Sequence, residues 1–181
     1  IITPARFFFF YGARDWNGLR RSIFSAMLIV GGVTLLLNMG AILFLSPVIR
    51  LLQTPFEIEQ MVYTYLFIVF LGMIPVSVYN FYANLLRSIG NSVVPLAFLV
   101  VSVVLNIALD LLLMLVFHMG VEGAALATVI AQVVGAIGLY VYTRIHFPEL
   151  RLKGADCVFD RRSMQRISSY SFLTCLQQSV M

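Results

Sequence analysis

Four long apolar runs, separated by short polar breaks, fill the chain from residue 22 to residue 144. Each reaches the roughly 20 apolar residues that an α-helix needs to cross a bilayer. They fall at about 22–45, 61–82, 94–117 and 121–144, and each predicts one membrane-spanning helix. At the α-helical rise the first would be roughly 36 Å long, enough to span with some tilt. Gly31, Gly32 and Gly40 lie inside it, where glycine permits close helix approach. Pro75 falls inside the second run and removes a backbone donor, which predicts a kink. In a transporter such a kink can serve as a hinge; in most membrane helices it is only a bend. Pro95 stands in the first turn of the third run, where the missing N–H is harmless.

The breaks predict the connections. Gly12–Arg21 reads as a polar, basic loop or interfacial turn, with Trp16 suited to the headgroup level. Ser46–Gln60 reads as an amphipathic loop bounded by Pro47 and Pro55. Asn84–Asn91 is a short polar turn, and His118-Met119-Gly120 is a very tight one that closes the last two runs into a hairpin. Along the fourth run Ala124, Ala127, Ala131, Gly135 and Gly138 recur at a spacing of three to four, which predicts a close-packing face against the preceding helix. Phe147–Arg166 is polar, with charges of both signs, and long enough for a linker between two bundles. Residues 168–181 begin another apolar helix, and residues 1–11 read as the tail of one that starts upstream. No charged n-region followed by a cleavable apolar segment is visible.

Composition agrees with the pattern. Of 181 residues, 61% are hydrophobic and 11% charged, against about 25% charged in a soluble domain. The mean hydropathy of +0.96 suits an integral membrane protein surrounded by lipid. A pI near 9.3 raises the question of nucleic acid, but the basic residues alternate with apolar spans and form no patch, so no nucleic-acid partner is expected. Arg6, Arg14, Arg20, Arg21, Arg87, Arg144, Arg151, Lys153, Arg161, Arg162 and Arg166 fall on one side of the four-span arrangement, and Arg50 on the other. The positive-inside rule therefore puts loops 12–21, 84–91 and 147–166 in the cytoplasm. Cys157 and Cys175 are far apart in that cytoplasmic stretch, which argues against a disulfide or a metal site there.

One charged side chain stands inside an apolar run. Asp110 lies seven residues before Phe117, roughly 10 Å below the outer end of its helix. A carboxylate at membrane depth costs about 2.5–3.5 kcal/mol on insertion scales, so it has a partner, a job, or both. Asn106 is its i,i+4 neighbour on the same face. Thr128 lies seven residues after Val121, so a tight hairpin brings it level with Asp110, with Gln132 one turn further on. The resulting oxygens can hold a proton or a hard cation such as Na⁺, or they can simply hydrogen-bond the bundle together. The residues alone leave both readings open. No His or Cys cluster supports a metalloenzyme, a lone Asp does not make an aspartic protease, and no Ser–His pair lies at depth. Enzymatic chemistry is therefore not expected. On the second span Tyr65, Tyr79, Asn80 and Asn84 add polar groups, and Asn80 and Asn84 share a face. They line a polar cavity or cap the cytoplasmic end.

Several blocks then carry a resemblance. Tyr11-Gly12-Ala13-Arg14-Asp15 precedes a basic pair; Leu86-Arg87-Ser88-Ile89-Gly90-Asn91 follows; then come Asn106-Ile107-Ala108-Leu109-Asp110 and Gly120-Val121-Glu122-Gly123-Ala124-Ala125-Leu126-Ala127-Thr128. Each is weak alone, but in this order and spacing they resemble the multidrug and toxic compound extrusion (MATE) family of antiporters over nearly the whole chain. The resemblance implies an all-α polytopic bundle, part of a twelve-helix transporter of two six-helix lobes. Residues 1–146 would be most of the N-lobe, from the end of helix two through helices three to six. Residues 147–167 would be the inter-lobe linker, and 168–181 the start of helix seven. Helices one and two and the C-lobe of the same chain would be its partners, beside membrane lipids and small organic substrates.

The resemblance also implies a cation site, for H⁺ or Na⁺, at Asp110, Asn106 and Thr128, with a further carboxylate on helix one. No other cofactor is implied. Tyr65, Asn80, Asn84 and Gln132 would line the substrate cavity. The implied function is cation-coupled export of organic, often cationic, compounds across the inner (cell) membrane by alternating access. Two alternatives stand beside it: a lipid-linked saccharide flippase of the same superfamily, whose cavities are more basic, and a non-transporting membrane scaffold in which Asp110 is structural.

Overall fold

The structure, a computed structural model, describes residue 12 and residues 16–51 and 56–150. In lipid every backbone polar group must be satisfied within its own segment, so apolar runs of this length fold as helices. The elements are α1 (Trp16–Leu51), α2 (Phe56–Ser88), α3 (Val93–Leu111), a π-helical turn at Leu112–Val116 that continues α3, α4 (Gly120–His146), and a 3₁₀ turn at Pro148–Leu150. Four stretches, Gly18–Ile49, Ile58–Ser88, Val93–Val116 and Gly120–His146, are long and apolar enough to cross a membrane.

The helices run beyond the apolar runs, and three expected connections shrink. Trp16–Arg21 belongs to α1 rather than to a loop, and so does Ser46–Leu51 with Pro47 inside it. α2 begins at Phe56, so Ser46–Leu51 and Phe56–Gln60 of the expected loop are helical, and residues 52–55 lie outside the described residues. At its other end α2 takes in Asn84 and Arg87, and the reversal is only Ile89–Ser92. The reason is the same throughout. Hydropathy marks where the bilayer ends, whereas a helix continues until its backbone finds other partners.

Those partners are visible at the reversals. After α2 the Asn91 N–H donates to the Leu86 carbonyl at 2.9 Å, and Gly90 takes a left-handed φ of +86°. Asn91 Oδ1 accepts from the Val94 N–H at 3.3 Å and caps α3. At the opposite end His118 and Gly120 have φ of +52° and +59°, which reverses the chain within the expected tight turn. The Met119 N–H donates there to the Leu113 carbonyl at 3.1 Å.

The helices stand in the spatial order α1, α2, α4, α3. α4 is wedged between α2 and α3, and its small residues make that possible. Ala127, Ala131 and Gly135 are buried, and a Cβ added at Gly138 would lie 2.5 Å from the Phe98 ring of α3. Gly135 backs onto Ser102 of α3 in the same way. On the other flank Gly72 of α2 leaves room for Val129 and Gln132. The Tyr79 hydroxyl ties α2 to α3 by donating to the Pro95 carbonyl at 2.6 Å.

Two clusters of buried apolar residues lie at one end, where Arg20, Arg21, Arg87 and Arg144 also fall. Leu19, Ile23 and Ala26 of α1 meet Phe81 and Leu85 of α2, and Leu150 completes the cluster. Beside it Ala83, Leu86 and Leu139 join α2 to α4. Phe147 and Leu150, the first residues of the expected linker, are thus part of this core rather than of a solvated strand of chain. The remainder of that linker and the helix segments expected at 1–11 and 168–181 lie outside the described residues.

Candidate functional site

Asp110 sits in the last full turn of α3, just before the π-helical turn. It is half-buried, and its Oδ1 is fully buried with no hydrogen-bond partner. An acceptor in that state is costly unless something binds to it, because burial strips its water and nothing replaces it. One turn earlier, Asn106 Nδ2 donates to Thr128 Oγ1 of α4 at 3.3 Å. The Thr128 hydroxyl in turn donates to the Ala124 carbonyl at 3.0 Å, a back-bond along its own helix. The hairpin therefore brings Asn106 and Thr128 into contact but leaves Asp110 without a bond to either. Asn106 engages Thr128 through its Nδ2, so its carbonyl oxygen is not spent on that bond. Chemically the group can bind a proton, or a cation that prefers oxygen ligands. Among the described residues no three of His, Cys, Asp and Glu converge.

Gln132, expected one turn along from Thr128 in this cluster, faces away from it. Four residues of α-helix turn through about 400°, so each i+4 step drifts about 40° around the axis. On α4, wedged between two neighbours, that drift carries Gln132 from the α3 side to the α2 side, against Gly72. There it lines a cavity of about 330 Å³ with Thr34, Leu37, Met73 and Ser77. The other expected cavity residues are dispersed along α2. Tyr65 is half-buried in its first half. Asn80 and Asn84 are exposed in its second half, where Arg87 Nη1 approaches Asn84 Oδ1 at 3.5 Å.

Sequence reasoning overlooked a second polar group. Thr34 of α1 and Ser77 of α2 share a hydrogen bond at 2.9 Å. Asn38, only 5% exposed, donates through Nδ2 to the Phe70 carbonyl. The signal was present: Thr34 and Asn38 are i,i+4 within an apolar run, the spacing that drew attention to Asn106 and Asp110. Being uncharged, they carried no insertion cost large enough to stand out.

Known proteins supply the wider frame. The chain is 34% identical over 121 residues to the probable multidrug resistance protein YpnP of Bacillus subtilis, covering 67% of this chain and 27% of that protein. It is 31% identical over 133 residues to the multidrug export protein MepA of Staphylococcus saprophyticus, covering 72% and 29% respectively. The chain thus spans under a third of the length of the curated relatives it matches. Its fold superposes with a TM-score of 0.81 on an inward-facing conformation of a multidrug resistance MATE family transporter of the MOP superfamily, at 19% identity. An outward-facing conformation gives 0.78 at 19%. Each covers 90% of this chain, which in turn covers 37% and 36% of those chains. The sequence pattern that defines MatE matches residues 8–112, more than half of the chain, and with four membrane-length helices in the fold of those transporters the chain belongs to the MatE family, whose members are transporters and not enzymes.

Proposed function

We propose that this chain is part of the N-lobe of a cation-coupled antiporter that exports organic, often cationic, compounds from the cell. The observation that carries the reading is the buried, unpartnered Oδ1 of Asp110, in a helix of membrane length and one turn from the Asn106–Thr128 pair. H⁺ or Na⁺ binds there, with Asp110, Asn106 and Thr128 as its oxygen donors, together with the carboxylate expected on helix one. Binding shifts the lobe between access states only through its different affinity for each. The fold's likeness to transporters described as inward- and outward-facing supports alternating access as the cycle. The names of the relatives, multidrug resistance and multidrug export, support the substrate class. Tyr65, Asn80, Asn84 and Gln132 face substrate. The membrane is the inner cell membrane, with the end bearing Arg20, Arg21, Arg87 and Arg144 in the cytoplasm, as the positive-inside rule requires. A flippase for lipid-linked saccharides would want basic groups at depth; among the described residues the arginines sit near the helix ends.

The test is ethidium efflux from cells that carry the intact protein, wild type against Asp110→Asn, with the Na⁺ and H⁺ gradients collapsed in turn. Efflux is expected to depend on one gradient and to vanish in Asp110→Asn at an unchanged membrane level. Undiminished efflux by the variant sinks the site. Absence of efflux from wild type under any gradient moves the reading to the flippase.

A further inference from the structure

Pro75 leaves α2 weakened near its middle. It has no N–H for the Leu71 carbonyl, its i−4 partner, so the helix lacks one of the bonds that keep it straight. The two hydrogen bonds from α1 fall on either side of that gap. Asn38 donates to the carbonyl of Phe70, one residue ahead of Leu71. Thr34 bonds to Ser77, two residues past the proline. Thr34 and Asn38 lie one turn apart on one face of α1, which runs antiparallel to α2, so a single rigid turn of α1 holds both halves of α2.

The surroundings leave α2 room to bend. The cavity of about 330 Å³ opens against the same turn of α2, lined by Thr34, Gly72, Met73 and Ser77, with Gln132 across from them. On the α4 side Gly72 lets Val129 and Gln132 pack close, within 2.9 Å of the place a Cβ would occupy, so the room lies on the cavity side. Interhelical hydrogen bonds in membranes are weak enough to exchange and directional enough to define an angle.

We propose that Thr34 and Asn38 are positioning residues: together they clamp α2 across Pro75 and set the angle between its two halves. The inference rests on the proposed transport role, because the halves so joined carry Tyr65 on one side and Asn80 and Asn84 on the other. The clamp therefore fixes the spacing of groups assigned to the substrate cavity. None of the clamp residues belongs to the cation site.

The experiment uses the intact protein in proteoliposomes, with Cys157 and Cys175 replaced by Ser. Spin labels go at Ile58 and Val121, exposed positions at the same end of α2 and α4. Pulsed dipolar spectroscopy then reads how the first half of α2 stands against α4. Wild type and Thr34→Ser are expected to give one narrow distance. Thr34→Val with Asn38→Leu is expected to broaden or shift it by about 4 Å, the displacement of a roughly 25 Å arm turned by about 10°. Adding Pro75→Ala should restore the narrow distance, because an unbroken helix needs no clamp. Ser77→Ala removes one hydroxyl only and gives the milder form of the same change if the double variant does not fold.

An unchanged distribution in the clamp variants overturns the proposal. So does broadening that persists with Pro75→Ala, since that is general loss of packing. In the same vesicles the ethidium KM is expected to rise about threefold in Ser77→Ala with maximal rate retained, the size of one such bond. If wild type moves no ethidium, the proposed function fails, and the distance measurement judges the clamp by itself.

Discussion

The arginine-bearing end of the bundle and its middle are built on different principles. At the end, Leu19, Ile23, Phe81, Leu85, Leu86, Leu139 and Leu150 close the space between α1, α2 and α4 with apolar side chains. In the middle, helices meet through small residues and a few polar side chains: Thr34 with Ser77, Asn106 with Thr128, and Gly135 against Ser102. Lipid tails are as apolar as leucine, so neither region gains from a hydrophobic effect between helices; the first gains from dense van der Waals contact, the second from close approach and hydrogen bonds. Dense packing has one good arrangement. Weak polar contacts have several of similar energy. The lesson is that apolar clusters join the helices at the arginine-bearing end, while small and polar residues join them in the middle.

That contrast can be broken most sharply at Asp110. Asp110→Asn replaces the carboxylate while keeping the shape, and coupled efflux should fall to background with the protein still inserted; thermal unfolding in detergent should move little, since no hydrogen bond to the carboxylate is lost. Next comes the packed end. Leu139→Ala is fully buried in the wild type and should lose about 2–4 kcal/mol by leaving a cavity, while the gradient dependence of efflux stays as it was. A change of coupling ion in that variant would deny the division between the two regions.

Gly138→Val tests the close approach of α3 and α4. The added side chain collides with the Phe98 ring, and a loss of about 1–3 kcal/mol is expected, readable as a lower unfolding temperature. Asn106→Ala should cost only about 0.6 kcal/mol of stability by removing one interhelical bond, yet weaken binding of the coupling cation about tenfold in a direct binding titration. The smallest effect is expected from Tyr79→Phe, which deletes the bond to the Pro95 carbonyl and should cost about 0.6 kcal/mol without a change in ion or drug affinity.

How much of this was legible beforehand varied with the kind of residue. Counting depth from the three-residue turn puts Asp110 level with Thr128, but the structure bonds Thr128 to Asn106, one turn earlier, because the π-helical turn at Leu112–Val116 alters the register that a regular helix would give. Gln132 could be placed in depth but not in direction, because direction depends on which neighbours α4 is wedged between. Thr34, Asn38 and Ser77 are unremarkable polar residues until α1 and α2 are laid side by side. Leu150 reads as the beginning of a polar linker, and only its burial against Leu19 and Ile23 makes it part of the core.

The sequence by itself determined the four membrane-length spans found among the described residues, their helical form and the family. Those follow from hydropathy, from the backbone's need for internal hydrogen bonds, and from short-range spacing, all of which act along the chain. Tertiary structure alone decided which helices adjoin, where they end, which face Gln132 turns, and that α1 grips α2 on both sides of Pro75. Those depend on shape and contact between residues far apart in sequence, which periodicity does not encode.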